Sequence, residues 1–195
     1  MDENIDVIEK YKNKHDGSIL EVFYDFEAEN PREWDNCTKI FCFTDSYVLG
    51  DKHDLKAEQF DSFEAIQNYL IKEFNAVVIV PLTLYDHSGI SLSIGEKRGW
   101  DTSPVGFMFV DKKNMIDGCF KSKADALHTI KSDLDTYNQY LSGTAYGYRI
   151  YKNVKCESCG NIEKEEVDSS WGFYGELKEV KENAGLDLKD WVEVI

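Results

Sequence analysis

The longest apolar runs of this 195-residue chain stop well short of the roughly 18 residues that a membrane-spanning helix needs, so no transmembrane segment is expected. The opening residues MDENIDVIEKYKNK are polar where a secretory leader would carry an apolar core, and a cytoplasmic location is the expectation. Basic residues are in the minority: 22 Lys and Arg stand against 37 Asp and Glu, a net charge of -15. Such a field repels phosphate backbones and anionic membrane surfaces, so neither direct nucleic-acid binding nor membrane binding is expected. The glycines are scattered and form neither G-x-x-x-x-G-K nor a G-x-G-x-x-G following a strand, which removes the common phosphate-binding loops. Internal repeats and low-complexity linkers are also missing. Five cysteines, Cys37, Cys42, Cys119, Cys156 and Cys159, are an odd number without a leader and are expected to be reduced.

What is present is a hydrophobic content of 42%, enough for a real core. The expectation is a single domain over 1–195, with 1–16 as a flexible arm and 155–195 as a C-terminal appendage. The acidic excess lies toward the ends: residues 1–36 hold 11 acids and 4 bases, 37–150 hold 15 and 12, and 151–195 hold 11 and 6. Two readings of it stay open, a solubilising surface or an acidic face that meets a basic partner.

Hydrophobic periodicity supplies the elements. Residues 2–14 read as a short polar helix or a frayed arm, and Asp16-Gly17 as a turn into a β-branched and aromatic strand over 19–26. Residues 29–36 form a loop around Asn30-Pro31, with Trp34 as a lid over the core or a contact residue. Strand character resumes at 38–43 and again at 47–49, before an exposed polar turn at 50–54. Ser62 or Asp61 caps a helix whose Phe63, Ile66, Leu70 and Phe74 share one face. Residues 76–84 form an apolar strand in which Pro81 predicts an edge or a bulge. Strict alternation at 90–94 makes a hairpin with it, and 105–110 returns as a further strand. Ser122 caps a second helix with Ala126, Ile130, Leu134, Tyr137 and Leu141 on one face, stopped by Gly143. A strand at 144–154, a hairpin over 155–175, a helix at 176–183 and a docked C-terminus at Trp191, Val192, Val194 and Ile195 complete the chain. The predicted class is α+β, a mainly antiparallel sheet with two principal helices and a small C-terminal hairpin and helix.

The candidate site lies in VVIVPLTLYDHSGISLSIGEKRGWDTSPVGFMFV, residues 77–110, where two apolar strands flank Asp86, His87, Ser88, Trp100 and Asp101. An acid, a base and a hydroxyl at a sheet margin suit a functional loop on a rigid scaffold. Their adjacency argues against a triad, because successive residues on an extended segment point to opposite sides. Asp86 and Asp101 with Asp51 and His53 fit a divalent-metal cluster for phosphoester hydrolysis, and equally a scaffold that satisfies loop backbone groups. Trp34 and His53 are expected as walls. The Cys156-x-x-Cys159 knuckle is a zinc half-site or a turn with reduced thiols, since no second pair stands at knuckle spacing. The expectation is no cofactor, with zinc at this knuckle as the alternative.

The blocks NPREWDN, YVLGDKHD, PLTLYDHSG, GWDTSPVGFMFV, DTYNQYLSGTAYGYRI and VDSSWGFYG resemble, in this order, a family of uncharacterised proteins from phages and mobile genetic elements. The resemblance covers most of residues 20–175 and implies a small accessory protein expressed in a bacterial host. This chain has Arg98-Gly99 where the family pattern has Cys-Pro, and Ser170 where it has Cys. Charge and resemblance together give the functional expectation: a non-enzymatic binding protein, an inhibitor that engages a host defence or nucleic-acid enzyme. The alternative is a small metal-dependent hydrolase or nuclease using Asp86, His87 and Asp101.

Overall fold

A computed structural model describes residues 7–194 apart from 118, 157 and 188. Among them are nine strands in two antiparallel sheets and four α-helices, an α+β fold. The chain divides into two compact units, Met1–Glu29 with Gly143–Ile195, and Asn30–Ser142. The second is thus inserted into the first.

In the inserted unit the sheet order is β3 (Lys39–Cys42), β6 (Thr102–Asp111), β4 (Ala76–Asp86) and β5 (Ile90–Ile94). Its apolar runs lack polar alternation because helices cover both faces. Ile40, Met108 and Val110 pack with Ala126, Ile130, Leu134 and Tyr137 of α3 (Lys123–Ser142), while Phe41, Phe107 and Phe109 pack with Ile66 and Leu70 of α1 (Phe63–Glu73). Two-residue periodicity therefore sorts one continuous run into two cores. Ser62 caps α1, its Oγ accepting from Ala65 N at 3.0 Å, and Ser122 accepts from Asp125 N at 3.1 Å ahead of α3. Tyr137, on α3, accepts from Gly50 N at 2.8 Å through its hydroxyl oxygen. Pro81 lies where β5 runs out, Gly95 N bonding to its carbonyl, and the register of β4 shifts between Leu82 and Thr83. The missing donor and the irregularity thus fall together. Gly106 is required because a β carbon there would collide with the Phe41 carbonyl. A short helix α2 (Lys112–Ile116), capped by Asp111, had no signal in the periodicity. Residues 47–49 are not a strand; Leu49 is buried, and Gly50 makes only an isolated bridge to Phe41.

The other unit has the order β8 (Ile162–Tyr174), β7 (Ala145–Lys155), β2 (Ile19–Tyr24), β1 (Val7–Asn13) and β9 (Trp191–Glu193), with α4 (Leu177–Asn183) on one face. Tyr11, Leu20, Val22, Tyr148, Val180 and Trp191 form its core. The expected helix or arm at 2–14 is, over Val7–Asn13, a strand, because its partners are β2 and the distant β9. No local signal reports a pairing across the whole chain. Residues 1–6 and Ile195 lie outside the described residues. Residues 155–194 supply β8, α4 and β9 to this sheet, and β8 runs for 13 residues.

Glu21 is buried in this sheet between Lys10 at 2.8 Å and Lys164 at 3.2 Å. Burial pushes its carboxyl up, but the hydrogen bonds and charges of the two lysines outweigh that and hold it below the usual glutamate range. A depressed folded value means stability that is present above the unfolded value of about 4.3 and is lost as pH falls through the folded one. Acid titration of thermal stability should therefore show a falling limb below about pH 4.3 that is shallower in Glu21→Gln; identical limbs would remove Glu21 from acid unfolding.

Candidate functional site

Strands β4 and β5 turn through His87-Ser88-Gly89, with Ser88 at φ 55°. Asp86 N donates to Asp101 O at 3.0 Å, which ties this turn to the start of β6. His87 Nδ1 then stands 3.7 Å from Asp101 Oδ1, with the imidazole 64% exposed. Beside it, Gly99 N donates to Thr102 O at 3.0 Å and closes a tight turn with Trp100 and Asp101 at its tip. At this two-residue tip Trp100 is 99% exposed. Tyr47 donates its hydroxyl to Asp86 Oδ2 at 2.9 Å, and that carboxylate raises the phenol's pKa above its usual value. The bond anchors the 44–58 loop to the hairpin end. On that loop Val48, the next residue, is 98% exposed.

Asp51 and His53 do not join this group. Arg32, whose side chain is only 2% exposed, grips Asp51 through Nε at 2.9 Å and Nη2 at 3.0 Å. Its guanidinium also donates to Thr38 O at 2.8 Å, and Asp51 accepts from Ile40 N at 2.8 Å. Thr38 in turn donates to Asp133 Oδ2 at 2.6 Å. The fork geometry satisfies a buried pair from both sides. The expected exposed turn at 50–54 is thus partly interior. Trp34 ends the 3-10 turn Pro31–Glu33 and keeps 44% of its surface exposed, so it is not a lid sealed over the core. The buried residue of that loop is Arg32.

His53 stacks on Phe41 at 4.5 Å and lies 5.0 Å from the Phe43 ring. Its Nε2 is 2.9 Å from the Cys42 carbonyl, which can only accept, so Nε2 carries the proton. The other ring nitrogen, Nδ1, is buried and without a hydrogen-bond partner. The ring lines a cleft of about 690 Å³ together with Asp45, Tyr47, Val48, Asp54 and Lys56. Cys42 borders the same cleft, but burial pushes its thiol up to about 12, so it is no nucleophile near neutral pH. Tyr47 lines this cleft and also bonds Asp86 at the hairpin end.

Cys37 and Cys119 are joined in a disulfide across 82 residues with Cα atoms 6.4 Å apart, a correction to the expectation that all five are reduced. Pairing of β3 with β6 brings these two flanking segments together, which spacing in the sequence does not reveal. Cys156 and Cys159 lie in the other unit, at the turn between β7 and β8, and are free. The Ser158 hydroxyl at 3.1 Å, then backbone N–H and thiol groups of Cys159 and Ser158 N–H, lower the Cys156 thiol to about 6. Among the described residues no three His, Cys, Asp or Glu side chains converge as a metal site, and no helix is long and apolar enough to cross a membrane.

The sequence reading missed Arg32, Tyr47 and Val48. Arg32 carries a local clue, a cation directly after Pro31 at a turn, but its anion is 19 residues away. Compared with family models, curated proteins and solved structures, the chain matches none.

Proposed function

We propose that this chain is a non-enzymatic, acidic protein-binding factor that docks on a basic protein surface through the hairpin end and adjoining cleft of the inserted unit. The observation that carries the reading is the pair Trp100 and Val48, each almost wholly exposed at places held together by the Tyr47–Asp86 bond. Aromatic anchors with a polar rim are typical of binding hot spots, and water-exposed apolar side chains gain most from being covered. Asp45 and Asp54 line the cleft, and Asp86 and Asp101 the hairpin end, with negative charge. The net charge of -15 steers such a partner and repels free nucleic acid. The phage and mobile-element resemblance supplies the setting, in which a host defence or nucleic-acid enzyme with a basic groove is the natural target.

Affinity measured against such an enzyme should fall as salt rises from low to high, because exposed attraction is screened within about 10 Å at 0.1 M. Trp100→Ala should weaken binding roughly 30-fold, the scale of a 2 kcal/mol hot spot, with an unchanged melting curve. Binding that ignores both Trp100 and salt would remove the proposal, as would recovery of DNA rather than protein. A second reading, a metal-dependent hydrolase, rests on the 3.7 Å approach of His87 to Asp101. Phosphodiesterase activity with a divalent metal, lost in His87→Ala, would favour it over the binding protein.

A further inference from the structure

Both edges of the four-stranded sheet are closed from within their own unit. On β3, Ile40 N donates to Asp51 Oδ2 at 2.8 Å while Ile40 O accepts from Asp51 N at 2.7 Å. On β5, Leu92 N donates to Asn138 Oδ1 at 2.7 Å and Leu92 O accepts from Asn138 Nδ2 at 2.8 Å, so one side-chain amide imitates a neighbouring strand. The five-stranded sheet is finished differently. At one end β9 is three residues long; at the other stands β8, 13 residues long and exposed from Ile162 to Ser169. Its backbone is tied near the far end, where Gly172 N donates to Asp25 Oδ2 at 2.9 Å. Along the exposed stretch alternate residues turn their N–H and C=O groups away from β7, as on any edge strand, which makes a template for one more strand.

We propose that β8 is a docking edge that takes an extended, basic segment of a partner protein as a sixth strand of this sheet. The charge along the edge selects that occupant. Glu163, Glu165 and Asp168 stand opposite Val154, Lys152 and Ile150 of β7, every second residue, so all three carboxylates share one face of the sheet. A regular strand would not align positions 163, 165 and 168; the register shift at Val167 takes up the extra residue and brings Asp168 back into the row. An added strand sets its own alternate side chains about 7 Å apart beside this row, so Lys or Arg at every second position meets the acids. The other face of the edge is already neutralised, Lys164 pairing with Glu21 at 3.2 Å and Glu166 with Arg149 at 3.6 Å. Neutral or apolar residues therefore suit the intervening positions, and Ile162, 71% exposed on that face, gives them a contact. A second copy of β8 does not fit, because pairing the edge with itself sets acidic rows side by side. The edge belongs to the unit that holds the five-stranded sheet and works independently of the hairpin-end docking proposed above.

The probe is a capped peptide that alternates lysine with threonine and valine, titrated into full-length protein and followed by fluorescence anisotropy and amide hydrogen exchange. The expected result is saturable one-to-one binding with slowed exchange at the amides of residues 162–168. A fully N-methylated analogue, which keeps the charge but cannot donate to a strand, should not bind. Glu163→Gln combined with Glu165→Gln should weaken binding roughly tenfold with an unchanged melting curve, since each exposed ion pair contributes a few-fold. Binding of the N-methylated analogue, or binding indifferent to the glutamine variants, would overturn the proposal. Protection at residues 86–101 in place of β8 would overturn it too, while leaving the docking site of the inserted unit standing. Failure to bind saturably would reduce the acidic edge to a guard against strand pairing and end the proposal.

Discussion

Arg32→Ala should destabilise the inserted unit by about 3–5 kcal/mol, although Arg32 is a charged residue in a short turn beside a proline. The side chain is 2% exposed and makes a two-pronged ion pair with Asp51 plus a hydrogen bond to Thr38 O. Truncation leaves the Asp51 carboxylate partly buried and facing an empty guanidinium site, with Ile40 N as its remaining partner. It also frees the Thr38 carbonyl, so the cost is that of orphaned polar groups rather than of lost attraction. Denaturant unfolding of wild type, Arg32→Ala, Asp51→Ala and the double variant measures this. The double variant should lose markedly less than the sum of the singles, since removing both partners orphans less. Additive losses, or an Arg32→Ala midpoint equal to wild type, would show that the pair is solvated in practice.

Phe107→Ala should cost a similar amount, about 3–5 kcal/mol, for a different physical reason. Its ring is fully buried at the centre of the four-stranded sheet, stacked on Phe63 at 4.3 Å. The neighbours are fixed by β3 pairing on one side and by α1 on the other, so collapse into the void is limited. Chemical denaturation should show a lower midpoint with nearly unchanged slope, because the surface exposed on unfolding hardly changes. Phe107→Leu should recover most of the loss, as a volume-preserving exchange does. A loss below about 1 kcal/mol for Phe107→Ala would mean that this core repacks freely.

Trp100 and Arg32 illustrate opposite ways in which residue type misleads. A tryptophan suggests burial and an arginine exposure, yet in this protein the first stands in water and the second is enclosed. The reason lies in the backbone. Trp100 occupies the tip of a two-residue turn, while Arg32 finds an anion that the β3 bridge to Gly50 delivers. His87 and Asp101 were suggestive in the sequence because one hairpin separates them, and local connectivity is what a sequence displays. Asp51 and His53 looked like companions of that pair, but their hydrogen bonds are made with Arg32 and Cys42.

By itself the sequence determined the α+β class, both principal helices, the β4–β5 hairpin and the stop at Gly143, since capping, turn chemistry and periodicity act over a few residues. Tertiary structure alone decided that Val7–Asn13 is a strand, that Cys37 meets Cys119, and that Asn30–Ser142 is inserted as its own unit between β2 and β7. Each of these depends on a pairing between residues far apart in the chain, whose energy appears only when the partner arrives, so no local pattern could record it.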